Sequence, residues 1–360
     1  MIKDARVEQL ADILVNYSTR VSKGDHVLIR STPLARPLIE AVYRLVVRNG
    51  AHPTLQLSFG SLGRIFFEEA SDEQLDYLNP IGRFAIEHSD VLITILAPEN
   101  SRELTGIDPV KLQRLSRTNQ PLNEHIISGK VRWVLCNFPT PSLAQDAEMS
   151  MEEYADFLFD ATNIDWPKAS AFMHRVKERF DAADEVRIVG PDTDITFSIK
   201  GRPGVVADGR HNMPDGEVFY APHETSTSGT ISFELPAIYN GREVQGVRLT
   251  FRDGKVVDAT AAKGEELLHK LLDTDSGARF LGEFGIGCNY GITRYSRDIL
   301  FDEKIGGSIH LALGRAYPEC QGTNQSAIHW DMVKDLRSGG RIYLDGELVQ
   351  ENGRFLFAAQ

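Results

Sequence analysis

Two histidines, His310 and His329, and an aspartate two places beyond the second, Asp331, stand within Leu300–Val333, LFDEKIGGSIHLALGRAYPECQGTNQSAIHWDMV. The same stretch carries Tyr317 and the carboxylates Asp302, Glu303 and Glu319. Apolar and β-branched residues flank both histidines, in SIHLAL and SAIHWDMV, which predicts short strands with side chains alternating between two faces. On such a strand His329 and Asp331 share a face. An imidazole beside a carboxylate, with a second imidazole near, is a ligand set for a divalent cation of the zinc or cobalt kind. Taken one at a time, each residue reads as well as a hydrogen-bonded core histidine or an aspartate capping a helix. Together they favour a metal, because buried charge is costly unless it is paired or coordinated.

Two further carboxylates carry local signals. Glu217 follows the turn Pro214-Asp215-Gly216 in HNMPDGEVFYAP, a turn that delivers it onto a strand EVFYA. Glu283 lies in FLGEFGIGCN, among Gly282, Gly285 and Gly287, where missing side chains allow a close approach of backbone to whatever the carboxylate holds. Each, taken alone, is also an ordinary surface glutamate at a turn.

The elements that must position these residues fall into two textures. Up to about residue 182 strands and helices alternate. KGDHVLIR reads as a strand, a helix follows from Pro33 and Pro37 to a stop at Gly50, and HPTLQLSF, SDVLITILAP and VRWVLCNFP are further strands. Capping boxes are signalled at Ser71 with Gln74 and at Ser150 with Glu153, and Asp108-Pro109 opens a helix. This β-α-β order predicts an α/β domain with a mostly parallel sheet over 1–182. It lacks a G-x-G-x-x-G after the first strand and any Walker motif, so the sheet reads as scaffold and not as a nucleotide site. From Glu185 short strands and glycine-rich turns take over, with hairpins turned at Asp253-Gly254 and Asp345-Gly346 and one helix from about Glu265 to Arg279. That predicts an α+β, strand-rich C-terminal domain over 183–360, carrying the metal site.

Composition narrows the class of partner. Of 360 residues 42% are hydrophobic and 25% charged, an ordinary balance for a globular chain. A net charge of −12 argues against nucleic acid or an anionic membrane surface as a partner. Cys136, Cys288 and Cys320 are widely spaced and form no framework, which points to a reducing, cytoplasmic setting. The opening MIKDARVEQLADILVNYSTR is patterned as an amphipathic helix and not as a signal peptide, and no apolar run approaches the roughly 20 residues of a membrane span.

NMPDGEVF, LGEFGIGCN, LFDEKIGGSIHLALGRAYPE and SAIHWDMV, in that order, resemble the signatures of the thermophilic-type metallo-aminopeptidases, the aminopeptidase T, aminopeptidase S and PepS family. The resemblance implies a site with two divalent metals, zinc, cobalt or manganese. It places Glu217, Glu283, His310, His329 and Asp331 at the metal-binding positions and Tyr317 close to the metals. It also implies a homodimer and short peptides as substrates.

The residue set suits that chemistry. Two cations roughly 3.5–4 Å apart can share a bridging carboxylate and a water whose pKa falls toward neutrality. Glu283, with glycines around it, is the first candidate for the bridge. Glu319 or Glu303 could carry the proton to the leaving amine, or be a surface salt-bridging residue. Tyr317 could steady the tetrahedral oxyanion, or be held by a structural hydrogen bond. Two other functions fit parts of the pattern. His310, His329 and Asp331 alone would make a facial triad for one non-haem Fe(II) and ring-cleaving oxygen chemistry, which has no use for Glu217 and Glu283. A non-enzymatic binding protein would need no metal at all.

Overall fold

In the computed structural model, which describes residues 4–239 and 241–357, the chain forms two compact units. The first comprises the residues up to Asn163 together with Gly209–Pro214. Four strands, His26–Ser31, His52–Leu57, Val91–Leu96 and Arg132–Asn137, are joined by helical crossovers and pair parallel throughout. The short strand Asn212–Met213 adds to the Arg132–Asn137 edge, also parallel. The α/β expectation holds, and the physical reason is visible in burial. Val27, Leu28, Ile29, Val91, Ile93 and Val134 are buried, as strands covered on both faces require.

The caps lie where the sequence signalled them. Ser71 and Gln74, and likewise Ser150 and Glu153, exchange reciprocal hydrogen bonds at helix starts, and Asp108 accepts from the amide of Val110. The Ser71 helix is only the turn Asp72–Leu75. The helix Gly60–Glu69 carried no sequence signal of comparable strength, whereas Pro80–Glu87 opens on Asn79-Pro80, the same cap-and-proline start as Asp108-Pro109.

The second unit, Ile164–Asp208 with Asp215 onward, holds an eight-stranded and a five-stranded antiparallel sheet around one core, with a two-stranded ribbon, Ala237–Tyr239 and Arg242–Val244, besides. Helix Trp166–Asp181 belongs here and not before a boundary at 183, because Phe172, Met173, Val176 and Phe180 pack into this core. The expected helix Glu265–Arg279 ends at Leu272. Beyond it the Asp275 carboxylate accepts from the amides of Gly277 and Ala327, a turn-forming competition that stops the helix. Both expected hairpins are present, pairing Val247–Arg252 with Lys255–Thr260 and Arg341–Leu344 with Glu347–Glu351.

The five-stranded sheet of this unit matters most for function. Its order is His329–Asp335, Ser308–Gly314, Leu281–Gly287, Glu217–Tyr220, Val205–Ala207, antiparallel at each step. Period-two alternation divides it into two faces. Ile309, Leu311, Leu313, Trp330, Met332, Phe284, Ile286, Val218 and Tyr220 go to the core. The opposite face receives every other residue of the same strands.

Candidate metal centre

Register assembles that opposite face. Glu283 pairs with Ala312, which pairs with Asp331; Gly285 pairs with His310 and with Phe219; Gly287 pairs with Glu217; and Gly314 pairs with His329. Glu217, Glu283, His310, His329 and Asp331 therefore project from four adjacent strands onto one surface, separated by glycines and an alanine that leave room between them. The strand Leu281–Gly287 is central, yet its three glycines hide it from β-propensity. Glu217 is fixed at the start of its strand by the turn before it. Gly216 has φ +121°, the amide of Cys288 donates to its carbonyl over 2.8 Å, and Asn289 Nδ2 donates to the Asp215 carbonyl over 2.8 Å.

Glu283 is the hub. Its Oε1 lies 3.5 Å from His310 Nε2 and its Oε2 lies 3.1 Å from His329 Nε2. Glu217 Oε2 is 3.5 Å from the same His310 nitrogen, and Asp331 Oδ1 is 3.5 Å from the His329 nitrogen. Two groups that could each hold a cation result, Glu217–Glu283–His310 and Glu283–His329–Asp331, with Glu283 common to both. A third group, Glu303–His310–Asp331, adjoins them.

Both imidazoles are held from behind. His310 Nδ1 meets the Glu303 carbonyl at 3.1 Å and His329 Nδ1 meets the Arg315 carbonyl at 2.7 Å. A carbonyl only accepts, so each Nδ1 carries the proton and each Nε2 is turned toward the carboxylates, the arrangement metal-ligating histidines adopt.

The electrostatics are those of a cation site. Burial pushes both imidazoles toward neutrality, but Glu283 and Glu217 raise His310 to about 10, and Asp331 and Glu283 raise His329 to about 11. Burial pushes Glu283 up, and the two imidazoles outweigh it and hold the carboxyl well below the usual range. Glu217 goes the other way, raised by burial more than Lys304 lowers it. Glu217 Oε2 and Asp331 Oδ1 are buried and make no hydrogen bond among the described residues. Orphaned buried carboxylate oxygens aimed at imidazole nitrogens fit divalent cations, which would satisfy each in its own group.

The other expected residues divide. Tyr317 is half-buried, its ring 4.8 Å from that of His329 and 5.8 Å from that of Phe219. Burial, reinforced by Glu283 and Asp331, raises its hydroxyl, so it stays protonated. Glu319 lies exposed on the turn Pro318–Cys320 and enters none of the three groups. Glu303 is inside, its side chain 18% exposed, and burial raises it against the pull of Lys304.

Lys304 escaped the sequence reading. Its side chain is fully buried, its ammonium pairs with Glu303 Oε1, and it lies 3.7 Å from Glu217 Oε1. Lys304 is the only Lys or Arg between Arg297 and Arg315, a lone cation within the carboxylate-rich stretch, and that was the available signal.

Several known proteins are similar to this chain in sequence or in fold. A family model described as thermophilic metalloprotease (M29) matches residues 3–355. Aminopeptidase 2 of Geobacillus stearothermophilus is 28% identical over 98% of both chains. Aminopeptidase T of Thermus thermophilus is 26% identical over 94% of this chain and 95% of its own. Among solved structures, wild-type AmpT from Thermus thermophilus aligns with a TM-score of 0.84 at 24% identity, covering 98% of this chain and 99% of that one. A 2,5-dihydroxypyridine dioxygenase from Pseudomonas putida KT2440 aligns at 0.59 and 14% identity, covering 99% of each chain. These two structural likenesses speak to the fold.

Proposed function

The chain belongs to the thermophilic metalloprotease family M29, and on that premise we infer that it is a metallo-aminopeptidase working with two divalent cations that share Glu283. The observation that carries the reading is the division of the Glu283 carboxylate, one oxygen toward each imidazole. Glu217 and His310 would complete one cation's ligands, and His329 and Asp331 the other's. Mixed nitrogen and oxygen ligands suit zinc, cobalt or manganese. Such a pair supplies Lewis acidity to the scissile carbonyl and lowers the pKa of an attacking water.

The chain's own residues do the rest. The Glu303 and Arg315 carbonyls fix the tautomers of His310 and His329 and so aim both Nε2 atoms. Glu303, bordering His310 and Asp331 with its pKa raised, is placed to take a proton and return it to the leaving amine, which exposed Glu319 is not. Tyr317, packed on His329 and kept protonated, is placed to donate to the developing oxyanion. Short peptides are the substrates, a homodimer the working assembly and the cytoplasm the setting; three free, buried cysteines support the last. No helix among the described residues is long and apolar enough to cross a membrane.

The single-iron reading of this scaffold leaves Glu217 and Glu283 without a role, yet both are buried in the cluster. The deciding experiment is hydrolysis of a panel of aminoacyl chromogenic amides by the purified protein, chelated and then supplied with zinc, cobalt, manganese or iron(II). Cleavage lost to chelator and restored by zinc, cobalt or manganese is the expected result. Oxygen uptake with an aromatic substrate under iron(II), without cleavage under any metal, would overturn the reading. Light scattering on the eluting protein tests the dimer, and a monomeric mass would refute it.

A further inference from the structure

We propose that Lys304 is a positioning residue of this centre: its ammonium, sealed between Glu303 and Glu217, confines Glu217 to one ligand oxygen and keeps Glu303 out of the ligand set. The inference rests on the two-metal reading above and adds to it a device that limits how many cations the pocket accepts.

Three observations carry it. First, the oxygens of Glu217 face different neighbours. Oε1 lies 3.7 Å from Lys304 Nζ, while Oε2 lies 3.5 Å from His310 Nε2 and makes no hydrogen bond among the described residues. Among the described residues no Lys or Arg pairs with Glu283, and both of its oxygens face imidazoles. One carboxylate is thereby set to serve one cation and the other to serve two.

Second, Glu303, His310 and Asp331 offer ligand atoms close enough together to hold a cation of their own. That third position would draw on His310 and Asp331, both needed by the other two groups. Lys304 pairs directly with Glu303, so a cation settling there would meet an ammonium on the same carboxylate. Left unligated, Glu303 remains free to carry a proton.

Third, the lysine side chain is fully buried. A long apolar residue would fill that space without the cost of desolvating a charge, so the charge itself is what the site uses.

The test uses the full chain, stripped with chelator and reloaded with cobalt(II), comparing wild type with Lys304→Met, Lys304→Gln and Lys304→Arg. Metal analysis gives cobalt equivalents per chain, and timed chelation gives their release. Wild type is expected to hold two equivalents. Lys304→Met is expected to take up additional cobalt, to release it more slowly, and to lose kcat by about 10- to 100-fold with KM little changed. Lys304→Arg should restore wild-type stoichiometry and rate. Adding Glu303→Gln to Lys304→Met should abolish the extra cobalt.

Wild-type stoichiometry and release in Lys304→Met would overturn the proposal whatever its activity. Failure of both Lys304→Met and Lys304→Gln to fold would also overturn it, by making the lysine a structural ion pair. A wild type that binds no cobalt or cleaves no aminoacyl amide would instead sink the two-metal reading itself.

Discussion

The imidazole of His310 occupies the space beside Gly285, so that a Cβ built on Gly285 would come within 1.9 Å of His310 Cε1 and 2.2 Å of Nε2. The two residues are register partners on adjacent strands, and the space a side chain would take is filled by the ring. Gly285→Ala must push the imidazole away from Glu217 and Glu283. A displacement of about 1 Å at a reacting centre costs on the order of 100-fold in rate. The variant should keep the far-ultraviolet dichroism of wild type, lose cobalt from the Glu217–Glu283–His310 half, and lose kcat accordingly. Wild-type metal content in Gly285→Ala would refute the packing argument.

Glu283→Gln should abolish turnover while leaving the fold intact, since an amide offers one acceptor oxygen where the carboxylate offers one to each imidazole. Activity assays and metal analysis on the same preparation check it. Full activity would remove Glu283 from the bridging position.

His329→Ala should behave differently from Glu283→Gln, because it deletes a ligand from one half only. About one metal equivalent should remain, with activity lost. Retention of two equivalents would refute the assignment of His329.

Metal uptake should release protons. In the metal-free chain His310 and His329 titrate near 10 and 11, so both are protonated at neutral pH and must each give up a proton to bind. Calorimetric titration in buffers of different ionisation enthalpy should show release of at least about two protons per chain at pH 7.5, since Glu217, raised by burial, must also bind as a carboxylate. The signs follow. Retention of metal weakens as pH falls, while the ion-pair stability of the metal-free chain is complete below the unfolded imidazole value and is lost as pH rises through 10 to 11. Proton release near zero would contradict the paired-imidazolium picture.

Glu224 should make acid stability depend on the loop between Tyr317 and His329. Burial raises its carboxyl, but the Thr323 hydroxyl at 2.6 Å, backbone amides and the buried Arg202 bring it down to about 2. A lowered value means stability present above the ordinary carboxylate range and lost as pH falls through 4.5 toward 2. Discounted for its partial exposure, the contribution is about 1–2 kcal/mol. Thermal melts of wild type should fall over that window, and Glu224→Gln should melt lower at pH 7 with a flatter acid dependence. Parallel pH profiles for the two proteins would refute it.

Local rules reach as far as a single element. Alternation in SIHLAL and SAIHWDMV places His329 and Asp331 on one face of a strand, because side-chain period is a property of the strand itself. The capping boxes at Ser71 and Ser150 and the hairpins at Asp253 and Asp345 were legible for the same reason: cap and turn partners lie within a few residues. The parallel sheet of the first unit followed from the order of its strands.

Which strands become neighbours, and in what register, depends on contacts distant in sequence, and there the local signals stop. The strand Leu281–Gly287 is masked by glycines that lack β-propensity, while their reasons for being there, the ring of His310 at Gly285 and the backbone of Gly314–Arg315 and of Ile305 at Gly282 and Gly287, come from residues distant in sequence. Helix Trp166–Asp181 reads as part of the α/β texture but buries its apolar face in the second core. Glu303 and Glu319 were interchangeable on paper. Only the fold puts one beside His310 and leaves the other exposed, and only the fold closes Glu303 and Glu217 around Lys304, since the energetic meaning of a charge is set by the partners and burial it finds.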